Sequence, residues 1–125
     1  MIAEATLCAA LSVYYEARSE PWNGRMAVAL VVRNRARIHN TSICWETFRW
    51  KQFSWTLNSD NLRTLPTGPA WKDALQIART ALNTPVDFTG GATEFHLTDE
   101  PAWWVDDKLQ PVGRFGAHTF YRKST

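Results

Sequence analysis

The N-terminal stretch, residues 2–17, constrains the fold of this 125-residue chain more than any other part of the sequence. It contains no proline or glycine, and Leu7, Leu11 and Tyr14 recur at helical spacing. Further apolar residues fall on the other faces of the same helix: Cys8, Ala9, Val13 and Tyr15. A helix that is apolar nearly all round has little surface suited to water, so this one should be largely buried. It should end near Arg18.

Three later stretches have helical signals, and one long stretch lacks a regular pattern. The turn signal PWNG (residues 21–24) should precede a second helix at residues 25–37. TGP (residues 67–69) starts a helix whose apolar residues follow i, i+3, i+4, i+7 spacing. Residues 38–67 are irregular, apart from one or two helical turns expected within 42–50. A long irregular segment in a compact domain is usually functional.

The C-terminal third of the chain has the alternating pattern of β-strands. We predict strands at residues 93–97, 112–115 and 118–122, with a turn at 116–117 between the last two. Helices first and a small antiparallel sheet last give an α+β fold in a single domain, residues 1–125. The length excludes a second catalytic domain but suffices for a hydrophobic core.

The charge balance argues against a dedicated nucleic-acid binder. The formal net charge is +2, from 14 basic and 12 acidic side chains, which is far from a strong basic excess. We expect the clustered Arg33, Arg35 and Arg37 to form a solvated face. The same is expected of the basic residues near the C-terminus: Arg114, Arg122 and Lys123. No apolar run approaches the roughly 20 residues of a membrane span, so no membrane partner is predicted.

Cysteine and histidine are too sparse to suggest a metal site. Two cysteines, Cys8 and Cys44, cannot supply four ligands to zinc, and buried thiols are the default expectation. A single disulfide is the alternative in an oxidising compartment. The three histidines are scattered without a short-spaced pair: His39, His96 and His118. We therefore predict neither a metal nor another cofactor.

Glu16 is the acidic residue in the most unusual surroundings. It follows Val13, Tyr14 and Tyr15 at the C-terminal end of the predicted buried helix. Desolvation and the partial negative charge of the helix end should both raise its pKa. A carboxyl group protonated near neutral pH is suited to general-acid cleavage of a glycosidic bond. The alternative is a simple ion pair with Arg18 or Arg35 at the helix end.

Six sequence blocks together resemble one known family. They are YEARSEP (15–21), GRMAVA (24–29), VRNR (32–35), KQFSW (51–55), PVDFTGGAT (85–93) and GAHTFYR (116–122). Their order and spacing resemble the cell wall hydrolase family typified by spore cortex-lytic enzymes, which also includes phage endolysins. Each block alone is a weak signal, but the ordered combination spans almost the whole chain and is specific.

The resemblance implies a compact lysozyme-like fold that cleaves peptidoglycan between N-acetylmuramic acid and N-acetylglucosamine. The family's catalytic glutamate matches Glu16, and in the lytic transglycosylases it acts as acid and then as base to form a 1,6-anhydro sugar. The sequence shows no second acid in an obviously matched environment: Glu20 lies beside Pro21 and is expected to be solvated, and Asp87 or Glu94 could come near only through folding. A hydrolytic muramidase, which gives reducing ends, and a non-catalytic glycan-binding module are the alternatives.

Six further residues are candidates for substrate binding: Gln52, Phe53, Ser54, Trp55, Thr93 and His96. The amide, hydroxyl and aromatic groups of residues 52–55 suit sugar hydroxyls, acetamides and the C–H face of a sugar ring. Alternatively, Phe53 and Trp55 cover the core and Gln52 caps a turn, while His96 is a half-buried histidine with its hydrogen bonds satisfied. The GGAT stretch at residues 90–93 lacks the lysine of a phosphate-binding loop, so a tight turn is expected there.

The seven tryptophans are expected to divide between core and surface. Trp71 belongs to an apolar helical stripe, whereas Trp45, Trp50 and Trp55 lie in the long irregular segment and residues 103–104 lie between strands. The chain has no convincing signal peptide. We predict that the chain is a monomeric phage endolysin. It would be made in the host cytoplasm and act on peptidoglycan strands after release.

Overall fold

The computed structural model describes residues 2–49 and 64–124. Its helices are α1 (Glu4–Ala17), α2 (Trp22–His39), α3 (Ile43–Phe48) and α4 (Pro69–Asn83), and its strands are β1 (Glu94–Leu97), β2 (Leu109–Phe115) and β3 (His118–Lys123). The strands form an antiparallel sheet in the order β1-β3-β2. The predicted α+β class, with helices leading and the sheet last, is confirmed.

Helix α1 lies at the centre of the helical layer and packs against α2, α3 and α4. Ala9, Ala10 and Val13 are fully buried, which agrees with the all-round apolar pattern of this helix. The facing residues of the neighbouring helices include Leu30 of α2 and Trp71 of α4. Small side chains on α1 allow its neighbours to approach closely, so three helices can surround α1, whose last turn carries Glu16.

Helix α2 begins earlier than its sequence pattern suggests. Pro21 occupies the cap position, and the stretch that we expected to form a turn, residues 22–24, is the first turn of the helix itself. Gly24 lies there because a Cβ would come within 3.2 Å of the Phe115 carbonyl oxygen. The helix ends at His39, and the left-handed conformation of the cap residue Asn40 (φ 55°) lets the Thr41 N–H bond back to the Ala36 carbonyl oxygen at 2.9 Å.

Helices α3 and α4 form where the sequence predicts them. The Ser42 hydroxyl caps α3 by accepting a hydrogen bond from the Trp45 N–H at 2.9 Å. Helix α4 starts at Pro69 and turns a regular apolar stripe toward α1: Trp71, Ala74, Ile77, Ala78 and Ala81. Residues 50–63 of the long irregular segment lie outside the described residues.

The sheet covers the part of α2 nearest the end of α1. Phe95 and Phe120 are paired across β1 and β3 and stack with ring centroids 5.3 Å apart. They join a second core cluster with Val28 and Val31 of α2 and with Ala17 at the end of α1. The sheet is thereby held against the end of α1, where Glu16 lies.

A disulfide joins Cys8 of α1 to Cys44 of α3, with the two Cα atoms 5.1 Å apart. The default expectation of two buried thiols is therefore wrong, and the alternative of a single bridge holds. Sequence separation gives no indication of this distance, because the pairing depends on how α3 packs against α1.

Arg33 and Arg35 do not form a solvated face, since each is only 3% exposed. Arg33 donates to the carbonyl oxygens of Ala81 and Thr84 at 2.9 Å, and Arg37 alone of the three is exposed. The basic residues near the C-terminus, by contrast, are exposed as expected. No helix in the described part of the chain is long and apolar enough to cross a membrane.

Candidate active site

Glu16 lies in the last turn of α1 and is half-buried. Burial raises the pKa of its carboxyl group from an ordinary 4.5 to about 7. The positive charge of Arg35 opposes this rise, and the negative charge of Glu20 adds to it. The direction agrees with the sequence-based expectation, and a carboxyl group with this pKa can donate a proton near neutral pH and accept it back.

Arg18 does not form the simple ion pair with Glu16 that was the alternative expectation. Its guanidinium lies over the Tyr14 ring, 4.5 Å from the centroid, and the residue is exposed. Arg35 does act on Glu16, but its own side chain reaches β1 instead. Its Nε donates to the Thr93 carbonyl oxygen at 2.6 Å, and its Nη2 lies 3.3 Å from Glu94 Oε2.

Arg35 thus connects α2 to the sheet inside the protein. Burial lowers the pKa of its guanidinium, and the charges of Glu94 and Glu46 counteract that effect. A buried cation is stable only with such partners, so the fold supplies carboxylates from β1 and α3. The result is a fixed positive charge close enough to Glu16 to limit the rise of its pKa.

Glu20 is not solvated, contrary to the sequence-based expectation. Its side chain is only 11% exposed, and Oε1 accepts a hydrogen bond from the Ala117 N–H at 2.7 Å. Oε2 lies 2.8 Å from His118 Nδ1, which is within ion-pair distance. The two atoms are not aligned for a hydrogen bond. Glu20 therefore holds the turn between β2 and β3 against the end of α1.

The β2–β3 turn is shaped to receive the Glu20 carboxylate. Gly116 has a φ of +63°, a left-handed conformation that glycine adopts without strain. A Cβ at this position would overlap Glu20 Oε1. Sequence reasoning placed a turn at residues 116–117 but missed its partner; the only signal was the presence of two glutamates four residues apart.

Thr93 lies at the start of β1 and is only 3% exposed. Its N–H donates to the Tyr121 carbonyl oxygen and its own carbonyl accepts from Arg35. Its hydroxyl oxygen is buried without a hydrogen-bond partner among the described residues. The backbone of Thr93 is therefore structural, and a role of its buried hydroxyl in substrate binding stays a prediction.

His96 is half-buried on the outer face of the sheet, and both of its ring nitrogens are engaged. Nε2 lies 2.8 Å from the Tyr121 hydroxyl, and Nδ1 lies 2.7 Å from the Leu97 carbonyl oxygen. The ring also stacks on Tyr121, with centroids 5.5 Å apart. These contacts favour the alternative of a satisfied histidine over a ligand-binding one.

The other four predicted substrate-binding residues, Gln52, Phe53, Ser54 and Trp55, lie outside the described residues and remain predictions. The GGAT stretch forms a tight turn, with Gly90 and Gly91 at positive φ. Asp87 organises this turn by accepting bonds from the Gly91 N–H at 3.0 Å and from Asn34 at 2.9 Å. Burial alone would raise the pKa of Asp87, but the bonds from Thr89, Asn34 and the backbone hold it below its ordinary value.

Within residues 2–49 and 64–124, no group of three or more histidine, cysteine, aspartate or glutamate side chains is arranged to hold a metal ion. The chemistry that Glu16 could supply here is proton transfer near neutral pH. Arg35 and Glu20 set its electrostatic surroundings, and both are fixed by contacts to the sheet.

Comparison with known proteins gives one family and one fold. The family model described as Cell Wall Hydrolase matches residues 19–121, beginning after Glu16. The catalytic domain of the Bacillus cereus SleB protein has a similar structure, with a TM-score of 0.75 and 23% sequence identity over 98% of this chain and 93% of that one. The catalytic domain of the germination-specific lytic transglycosylase SleB from Bacillus anthracis gives a TM-score of 0.79, also at 23% identity, over 96% of each chain. None of the curated proteins compared with the chain matches it.

Proposed function

Since the chain belongs to the cell wall hydrolase family, we propose that it is a peptidoglycan lytic transglycosylase with Glu16 as its general acid and base. The bond cleaved is the β-1,4 link between N-acetylmuramic acid and N-acetylglucosamine. The observation that carries the proposal is the position of Glu16, half-buried at the end of the core helix with a pKa raised to about 7. The likeness in fold to a lytic transglycosylase catalytic domain supports the same reaction.

The reaction needs one carboxyl group. Protonated Glu16 transfers its proton to the glycosidic oxygen as the bond from that oxygen to C1 of the muramic acid breaks, and the N-acetylglucosamine end leaves with a new hydroxyl. The Glu16 carboxylate then accepts the proton of the C6 hydroxyl while that oxygen bonds to C1. The product is a 1,6-anhydro sugar, and Glu16 is protonated again without water being consumed.

The surroundings of Glu20 support the single-acid route over a hydrolytic one. A two-carboxylate glycosidase needs its second carboxylate free to attack the sugar or to activate water. One oxygen of Glu20 accepts a hydrogen bond from the Ala117 N–H and the other lies 2.8 Å from His118 Nδ1, so the carboxylate faces the β2–β3 turn. Glu20 is therefore suited to holding the β2–β3 turn rather than to acting on substrate.

Digestion of purified peptidoglycan, followed by mass spectrometry of the soluble fragments, tests the proposal. We expect 1,6-anhydromuropeptides from the native chain and none from Glu16→Gln. The matched control is Glu100→Gln, because Glu100 is exposed in a turn between β1 and β2. Fragments with reducing ends would assign a hydrolytic muramidase instead, and binding without fragments would assign a glycan-binding module.

We also propose that the protein acts outside the cytoplasm as a monomeric endolysin. The Cys8–Cys44 disulfide supports a site of action in an oxidising compartment, since such bonds are reduced in the cytosol. Expression in a bacterial cytoplasm should leave cells intact until the membrane is permeabilised, after which the culture should clear. Clearing before permeabilisation, or no clearing after it, contradicts this setting.

A further inference from the structure

A groove of about 500 Å³ lies at the end of the sheet where β1 and β2 begin and β3 ends, and Glu16 is not among its lining residues. It is lined by Glu94 of β1, by Leu109 of β2, by Lys123 of β3, and by Trp104, Asp106 and Lys108 from the segment between β1 and β2. No residue of this groove gives or takes the proton in the chemistry described above, and only Glu94 is linked to Glu16, through Arg35. Its composition, one indole with two cations and two anions, is that of a polar binding site with an apolar wall.

The two anions of the groove are already engaged by the protein. The Glu94 carboxylate pairs with buried Arg35 at 3.3 Å. Asp106 Oδ1 accepts a hydrogen bond from the Lys108 N–H at 2.8 Å. The Lys108 and Lys123 ammonium groups, by contrast, have no ion pair with any described residue, and both side chains are exposed. Asp106 keeps its negative charge, so two ammonium groups against one carboxylate without a cationic partner leave the groove with a net positive charge.

The backbone holds the two lysines next to each other. Leu109 is paired with Lys123 across the β2–β3 ladder, and Lys108 directly precedes Leu109. The Lys108 carbonyl oxygen also accepts a hydrogen bond from the Ser124 N–H at 2.8 Å. Because the chain fixes both Cα positions, little backbone entropy is lost when the two cations meet one anionic ligand.

Trp104 is held in place from the other side. Its ring meets His96 and Tyr121 edge to face, with centroids 5.7 Å and 6.2 Å away, and the residue is half-buried. His96 and Tyr121 are themselves joined by a 2.8 Å hydrogen bond. The indole thus forms a fixed apolar wall beside the two lysines, suited to the aliphatic part of a ligand whose carboxylates meet the cations.

We propose that this groove binds the peptide side branch of peptidoglycan through its carboxylates. The inference rests on the proposed function, because it assigns a second part of the same substrate. In a glycan strand whose muramic acid lactyl groups are amide-linked to peptide, the sugars carry no ionised group, so the carboxylates belong to the peptide branches. Glu94 of the groove pairs with Arg35, whose charge acts on Glu16, so the groove and Glu16 share one charged neighbour.

The test compares two forms of the same substrate. Purified peptidoglycan is digested either with its peptides intact or after an amidase has removed them, and initial rates are measured at low substrate concentration. The double variant Lys108→Gln with Lys123→Gln should be about fivefold slower on the peptide-bearing form, the amount expected for two exposed ion pairs. It should be unchanged on the stripped form, whose one remaining carboxylate is the lactyl group that the amidase frees on the sugar itself. The matched control is Lys72→Gln with Arg79→Gln, which removes two positive charges from a groove of about 560 Å³ on α4.

Equal loss on both substrates, or no loss beyond that of the α4 control, overturns the proposal. Loss that disappears when anionic phosphate polymers are removed from the wall preparation also overturns it, because the ligand is then a phosphate. Calorimetric titration of the native chain with free stem tetrapeptide needs no cleavage. Peptide binding that the lysine variant weakens therefore supports the proposed role of the groove even if no glycan product forms. The absence of glycan products would refute only the proposed function.

Discussion

Glu16 and Glu46 are two glutamates that the fold withdraws from water, and their carboxyl groups respond in opposite directions. Glu46 is fully buried on α3, yet its pKa is lowered, whereas half-buried Glu16 has a pKa raised to about 7. Burial favours the neutral form in both cases. At Glu46 it is outweighed by the Thr41 hydroxyl at 2.6 Å and by His39 Nδ1 at 2.9 Å. The number of donors, rather than the depth of burial, decides which glutamate keeps its proton.

The largest expected effect separates the two residues by activity. Glu16→Gln removes the group that gives and takes the proton, so the rate of glycan cleavage should fall by about 100-fold to 10,000-fold. Glu46→Gln lies away from the chemistry and should retain most of the native rate at a temperature where it is folded. Initial rates of fragment release for the two purified variants measure the difference. Comparable losses in both would mean that Glu16 has no special catalytic role.

Loss of the disulfide tests whether α3, which carries Glu46, is coupled to the end of α1 that carries Glu16. Replacing Cys8 and Cys44 by serine removes a link between residues 36 apart in sequence, which should cost about 3 kcal/mol in the free energy of unfolding. Because the bridge holds α3, and not the end of α1 that carries Glu16, the pH dependence of cleavage should stay unchanged. Denaturant unfolding and a pH–rate profile check the two parts. A shifted profile would show that the two regions are coupled.

The opposite pKa shifts predict opposite pH dependences of stability. Glu46 has a folded pKa below its unfolded value, so its contribution is present above about pH 4.5 and is lost as the pH falls. Glu46→Gln should therefore cost about 2 kcal/mol near neutral pH and less in acid. Glu16 has a folded pKa of about 7, so its contribution is lost as the pH rises through 7. Glu16→Gln should then be more stable than the native chain at pH 9, by about 1 kcal/mol.

Urea unfolding at several pH values between 4 and 9 measures both curves. The two variants should differ from the native protein in opposite directions at pH 9. If both lose stability there, the contrast between the two carboxyl groups is wrong.

The smallest expected effect comes from the neighbour of Glu16. Glu20→Gln keeps an oxygen that can accept from the Ala117 N–H but removes the negative charge that helps to raise the Glu16 pKa. The upper limb of the pH–rate profile should move to lower pH by about half a unit, a typical size for one screened charge. Glu100→Gln should leave the profile in place. A profile that stays fixed in Glu20→Gln would confine Glu20 to holding the β2–β3 turn.

Periodicity was enough to predict the elements whose residues decide their own structure. Helix α4 follows from its apolar stripe and from Pro69 at its start, and α1 follows from an apolar surface that leaves no face for water. The position of Glu16 at a helix end was predicted because it is a local property, and its role as acid and base stays a prediction. Its expected pKa direction also follows from neighbours within three residues along the chain.

What sequence reasoning missed depends on contacts between distant segments. The burial of Arg33 and Arg35 requires acceptors from residues 48 to 59 positions away, among them the Ala81 carbonyl oxygen and the Glu94 carboxylate. Glu20 was expected to be solvated because its partner, the Ala117 N–H, is 97 residues away. A run of charges alone cannot reveal such acceptors, so its default interpretation as a solvated surface failed here.

The contact between Glu20 and the β2–β3 turn has a consequence for hybrid enzymes built by exchanging segments between relatives. The turn accepts the carboxylate only because position 116 is glycine and position 117 presents its backbone N–H. A C-terminal segment taken from another protein would therefore have to bring both features, or be transferred together with residues 16–20. The crossover points should therefore be chosen so that Glu20 and the β2–β3 turn come from the same parent protein.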